Sequence, residues 1–256
     1  MIDYAKERRF ASTVDLYRRY RPRYPQAFIG GLVEELALSA ADTVMDLGCG
    51  PGFLAVAIKP FVGHVIAVDP EPMMIEAARS EAEAAGVTLE LVEGGSATLE
   101  PGPVLLSAVL MGRSFHWMDR EATLARLETM VAPSGAVVLC QSTARGGDWT
   151  EAVAAVREAF ANDPDHPRKR GQHDHEAVLA RSPFSVIAKF AIEDADRVDV
   201  EDIVGQALTM SSTSPDRLAE RRPAFEAAIR AAVAPFVQDG CLERAHTFEA
   251  IIARRP

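Results

Sequence analysis

Three cysteines in 256 residues, Cys49, Cys140 and Cys241, stand far apart. That spacing supplies neither a disulfide framework nor the paired thiolates of a zinc site. Apolar runs are short as well. The longest, over residues 104–111, falls far short of the ~20 residues a bilayer-spanning helix needs. Residues 1–7 hold no apolar segment of signal-peptide type. These deficits lead us to expect a cytoplasmic protein with reduced thiols, no membrane partner and no metal. Basic residues are also scarce, 27 Lys and Arg against 37 Asp and Glu. No nucleic-acid partner is expected, because binding to a phosphate backbone depends on clustered positive charge. The exception is local: the first 23 residues carry seven basic side chains and three acidic ones in a chain of net charge −10.

With 48% hydrophobic residues, a chain of this length can build one α/β domain plus an elaboration, as a monomer or a homodimer. Its organising stretch is Val44-Met45-Asp46-Leu47-Gly48-Cys49-Gly50-Pro51-Gly52-Phe53, an apolar strand running into a glycine-rich turn and an apolar helix. Glycines there let a ligand lie against the backbone at the mouth of a parallel sheet. After a second apolar run (64–68), Asp69 stands where a carboxylate can accept both hydroxyls of a ribose.

Here the sequence resembles the class I S-adenosylmethionine (SAM) dependent methyltransferases, whose first motif reads acidic-x-Gly-x-Gly-x-Gly with an acidic residue closing strand two. The resemblance implies a Rossmann-like, seven-stranded, mostly parallel sheet with an antiparallel last strand and helices on both faces. SAM is the implied cofactor and S-adenosylhomocysteine the product. A dinucleotide fingerprint starting at Gly48 would require glycine at position 53, which is Phe53. An NAD(P)-dependent oxidoreductase is therefore the enzymatic alternative, and a SAM-binding protein without catalysis is the non-enzymatic one.

Within residues 12–24 the tyrosines at 17, 20 and 24 alternate with Arg18, Arg19, Arg21 and Arg23. This segment resembles the N-terminal lid of small-molecule methyltransferases of the trans-aconitate type, which implies that Tyr17 and Arg21 close over the cofactor. We expect a lid over 1–24, a SAM-binding core over 25–145, and over 146–256 the remaining strands with an inserted helical cap for the substrate. The expected strands are 43–47, 64–68, 87–92, 104–111, 136–141, 184–192 and 244–253. Helices are expected at 53–61, from Pro70 to Gly86, at 120–131, from a capping box at Asp148 to Phe160, and at 200–210 and 223–237. Residues 162–176 read as a polar loop. Its His166, His173 and His175, mixed with Asp163, Asp165 and Asp174, lack metal-site spacing.

The resemblance carries Asp46, Gly48, Cys49, Gly50, Gly52, Asp69, Pro70, Met73, Ser96, Ala97 and Met111 over as cofactor contacts. Ser96 and Ala97 would take the adenine edge. His116 and Trp117, after the fourth strand, would face the acceptor, a small molecule methylated on oxygen or nitrogen, a carboxylate included. A histidine titrating near neutrality can take the proton of a hydroxyl or amine nucleophile, or it can shape the pocket beside Trp117.

Overall fold

A computed structural model describes residues 13–145, 148–161 and 174–256; the side chain of Asp148 lies outside the described set. Five strands run parallel: β1 (Thr43–Leu47), β2 (His64–Asp69), β3 (Glu90–Glu93), β4 (Leu106–Gly112) and β5 (Val131–Arg145). Past them, β6 (Val186–Val198) forms one edge, and β7 (Leu242–Arg254) lies antiparallel between β5 and β6. The sheet order is β3-β2-β1-β4-β5-β7-β6, so the seven-stranded sheet with an antiparallel last strand is the observed architecture.

Strand periodicity divides the core into two layers. Val44, Leu110, Val138 and Ile252 point to one face, where Phe28 and Leu32 of α2 (Gln26–Glu35) and Leu54 and Ile58 of α3 (Phe53–Ile58) cover them. Met45, Val109, Val137 and Ile251 point to the other face, under Leu124 and Leu127 of α5 (Arg120–Leu127) and Leu179 of α7 (His175–Ala180). Between β2 and β3 runs α4 (Pro72–Ala84), N-capped by Glu71 and buried through Met74, Ala77, Ala78 and Ala82. Ala85, the residue that closes this helix, is exposed.

β5 is the main departure from expectation. It begins at Val131, ahead of the expected Ala136, and absorbs 133–135 where the register against β4 shifts between Leu106 and Ala108. At its far end it continues to Arg145, and ladder pairing with β7 sustains it over that length. β5, β7 and β6 therefore reach beyond the carboxyl ends of β1 and β4. On this extension sits a separate apolar cluster built by α6 (Asp148–Phe160), α8 (Val200–Leu208) and α10 (Arg222–Val233), with Trp149, Ile203, Phe225 and Ile229 at its centre. The short α9 (Pro215–Leu218) precedes α10, which starts with Pro223 in its first turn. The expected polar loop ends earlier than 176. Asp174 caps α7 by accepting from the Ala177 N–H at 2.7 Å, while 162–173 lie outside the described residues.

At the N-terminal end, α1 (Val14–Tyr20) stops before Tyr24, so the three tyrosines take separate places. Tyr17 stands 6.2 Å from the Phe53 ring. Tyr20 lies on Gly205 of α8. Tyr24 is buried between Phe28 and Phe248, with ring centroids 5.5 and 6.0 Å away. Arg18 and Arg23 both reach Glu81 of α4, at 3.2 and 2.8 Å. The helix thus bridges α4 and α8 across the mouth of the sheet. No helix among the described residues is long and apolar enough to cross a membrane.

A Cβ on Gly205 would fall 2.3 Å from the Tyr20 ring. Gly205→Ala therefore favours α8 itself, by about 1 kcal/mol of helix propensity, while evicting α1. Limited proteolysis should show faster cleavage at Arg18 and Arg19 in the variant with an unchanged melting transition of the core. Wild-type cleavage rates would mean that α1 does not depend on this seat.

Candidate functional site

The turn after β1 is shaped by its neighbours. Gly48 and Gly50 take positive φ, 71° and 54°. That region is open to glycine and strained for other residues. A Cβ at Gly48 would also strike Ser114, 2.5 Å away, whereas one at Gly50 would meet only Met74 Sδ, at 4.0 Å. Gly48 is thus packed from behind and Gly50 faces open space. The Gly48 and Cys49 N–H groups donate to the Val68 carbonyl, at 2.8 and 3.0 Å, and Ser114 Oγ donates to the Leu47 carbonyl at 2.7 Å.

Strand alternation puts Asp46 on the same face as Val44, beneath α3. There its Oδ2 accepts from the Ala55 N–H at 3.0 Å and its Oδ1 is buried without a partner among the described residues. Burial pushes this carboxyl up to about 7, and the Asp69 charge adds to the shift. Asp69, closing β2, accepts from the Gly50 N–H at 2.8 Å and the Glu71 N–H at 3.0 Å. Burial raises it as well, to about 6, against the pull of those two donors.

In front of the turn lies a cavity of about 320 Å³. Of the residues singled out in the sequence, it brings together Tyr17, Arg21, Gly48, Gly50, Asp69, Pro70, Met111, His116 and Trp117. It does not include Asp46, Cys49, Gly52, Met73, Ser96 or Ala97. Asp46, Cys49 and Ser96 are buried, Gly52 closes the turn against Ala78, and Met73 and Ala97 are exposed.

Several lining residues carried no motif. Glu71 and Met74 follow β2; Arg113 follows β4; Gln141, Ser142 and Thr143 come from the unforeseen extension of β5; Arg157 comes from α6, His175 from α7, and Met210 and Ser211 from beyond α8. Arg113 had a signal in the sequence, its place at the carboxyl end of a buried parallel strand, where ligand loops gather. Among the described residues no cluster of three or more His, Cys, Asp or Glu side chains is placed to hold an ion. His175 packs within the lining. Its Nδ1 stands 3.4 Å from Arg120 Nη1 and its ring 5.4 Å from Phe115. His116 stands 4.7 Å from the Trp117 ring, within a single 3₁₀ turn.

Charges of both signs line the cavity. Asp69 and Glu71 enter from the end of β2, Arg113 from the end of β4 across β1, and Arg21 feels both Arg113 and Arg157. Arg21 donates to the Thr209 carbonyl at 3.2 Å and lies over the Tyr17 ring at 4.9 Å, with its Nε buried and without a hydrogen-bond partner among the described residues. Burial draws this guanidinium down to about 10, and repulsion from Arg113 and Arg157 adds to the effect. Arg113 takes φ +59°, an unusual conformation for a side chain of its size.

Residues 44–135 match the methyltransferase domain family. An uncharacterized methyltransferase of Mycobacterium tuberculosis is 30% identical over 186 residues, covering 72% of this chain and 69% of its own. One from Schizosaccharomyces pombe is 25% identical over 199 residues, 75% of this chain and 77% of its own. The solved YcgJ protein of Bacillus subtilis shares the fold with a TM-score of 0.58 at 18% identity, over 89% of this chain and 98% of that one. A SAM-dependent methyltransferase from Thiobacillus denitrificans, solved in complex with S-adenosylhomocysteine, gives 0.52 at 20% identity, over 96% and 98%.

The raised Asp46 carboxyl has a consequence for stability. A carboxyl that holds its proton more tightly folded than unfolded contributes stability in full below the unfolded value, near 3.9, and loses it as pH climbs to the folded value of about 7. Asp46→Asn keeps an acceptor for the Ala55 N–H and removes the titration. Urea midpoints measured from about pH 4 to 7 should show the wild type losing stability relative to Asp46→Asn by up to about 1.4 kcal/mol per pH unit. A difference that stays flat with pH would show that Asp46 is not perturbed.

Proposed function

Because this chain belongs to the methyltransferase family, we propose that it transfers the methyl group of S-adenosylmethionine to an oxygen or nitrogen of a small-molecule acceptor. The observation that carries this reading is the pairing of Asp69 with Gly50 at the cavity mouth: a carboxylate for the ribose hydroxyls beside backbone with room for a ligand. The methionine portion then runs along Gly48 and Met111, and Arg21 meets its carboxylate. The fold likeness to a protein solved with S-adenosylhomocysteine supports the same cofactor. Phe53 weighs against a dinucleotide. It is buried at the start of α3, with Arg23 4.3 Å above its ring, where a pyrophosphate would need open N–H groups.

The bound donor supplies an electrophilic methyl carbon; transfer breaks the carbon–sulfur bond and forms a bond from the acceptor's lone pair. The chain's part is to align the acceptor behind that carbon and exclude water. On this reading α1, docked between α4 and α8, is the lid, with Tyr17 and Arg21 on its inner side. Trp117 and His116 present the acceptor, and His116 takes the proton that a hydroxyl or amine acceptor sheds.

Asp69→Ala tests the cofactor assignment. Charge-assisted hydrogen bonds contribute about 1.5–3 kcal/mol each, so the affinity for S-adenosylhomocysteine measured by calorimetry should fall tenfold or more. Unchanged affinity would place the ribose elsewhere. For His116→Ala, kcat should drop by about 10² to 10⁴ at constant cofactor affinity, and the acidic limb of the wild-type pH–rate profile should vanish. A rise in acceptor KM with kcat intact would instead make His116 a wall of the pocket.

A further inference from the structure

On top of the cofactor reading above, we infer that Arg113 is a specificity residue that holds an anionic group, a carboxylate, of the acceptor. Arg113 lines the cavity from the end of β4, across β1 from Asp69 at the end of β2, and shares the lining with Ser142 of β5 and with Met210 and Ser211 beyond α8. Its Nη1 donates to Ser142 Oγ at 3.2 Å, and its Nε is buried with no hydrogen-bond partner among the described residues. The guanidinium carbon lies 5.8 Å from the centre of the Tyr17 ring and 5.4 Å from that of Tyr24. No carboxylate among the described residues pairs with it, although the chain as a whole is acidic.

A desolvated cation is costly unless something meets it. The backbone at Arg113 sits in a region that arginine seldom occupies, a cost that recurs where function fixes a side chain. The donor cannot supply all of the missing charge. S-adenosylmethionine carries a sulfonium and an ammonium against a single carboxylate, and on the reading above that carboxylate goes to Arg21. Loading the cofactor therefore adds net positive charge to the cavity that Arg113 lines. The guanidinium fork matches the two oxygens of a carboxylate, and such bidentate pairs are among the stronger hydrogen-bonding contacts. An anionic acceptor is drawn to the sulfonium as well as to Arg113, so the same charge both selects the molecule and pulls it toward the methyl carbon.

The test uses protein saturated with S-adenosylhomocysteine and titrated with succinate and benzoate, each against its neutral counterpart, succinamide and benzamide. Wild-type protein should bind at least one acid about tenfold or more tightly than its amide. Arg113→Met should erase that preference, Arg113→Lys should restore part of it, and both should keep the wild-type affinity for S-adenosylhomocysteine, which also reports that they fold. Two results overturn the inference. In one, acids bind no better than amides, including the case where neither binds. In the other, Arg113→Met weakens S-adenosylhomocysteine tenfold, which gives the arginine to the cofactor's own carboxylate. Parallel titrations without S-adenosylhomocysteine keep the two readings apart: protein that takes up the acids and binds no S-adenosylhomocysteine retires the donor reading and leaves this one standing.

Discussion

A carboxylate reaching back from the end of one strand to the backbone of the neighbouring turn is the contact on which the site depends. Asp69 takes the Gly50 N–H with one oxygen and the Glu71 N–H with the other, and so joins the glycine turn to the start of α4. The turn is held from behind by the Val68 carbonyl and by Ser114 on Leu47, so the ends of β1, β2 and β4 are locked relative to each other. Such locking lets the site face a ligand with backbone groups already in place. Preorganisation of this kind spares the ordering cost that a flexible loop would meet on binding.

Charges of both signs reach the cavity in a way that follows from topology. The acidic side chains come from the loop after β2, while Arg21, Arg113 and Arg157 come from α1, the end of β4 and α6. Three separate segments bring guanidiniums to one cavity, in a protein whose overall charge is negative. Burial lowers Arg21, and the nearby charges of Arg113 and Arg157 lower it further.

Much of the sheet was legible because buried parallel strands leave near-continuous apolar runs and because the glycine turn and Asp69 mark the carboxyl ends of β1 and β2. The first strand was read residue for residue, Thr43 to Leu47. What stayed hidden were features set by partners distant in the chain. β5 runs to Arg145 because β7 pairs with it, and nothing in the polar sequence 141–145 signals a strand by itself. The same hidden extension carries Ser142 into the site, next to Arg113. Asp46 shows the opposite limit. A motif match suggested a ligand contact, whereas strand alternation turns the side chain under α3 and away from the cavity. Separation of Tyr17, Tyr20 and Tyr24 into three environments was likewise invisible, since it depends on where α1 ends and what each ring meets.

The measurement that bears most directly on the central claim is a crystal structure of the protein grown with S-adenosylhomocysteine. The account predicts the ribose hydroxyls on Asp69, the amino-acid end along Gly48 toward Arg21, and the sulfur turned toward the wall formed by Arg113, His116 and Trp117. A ligand bound with its ribose away from Asp69, or no ligand in this cavity at saturating concentration, would contradict it.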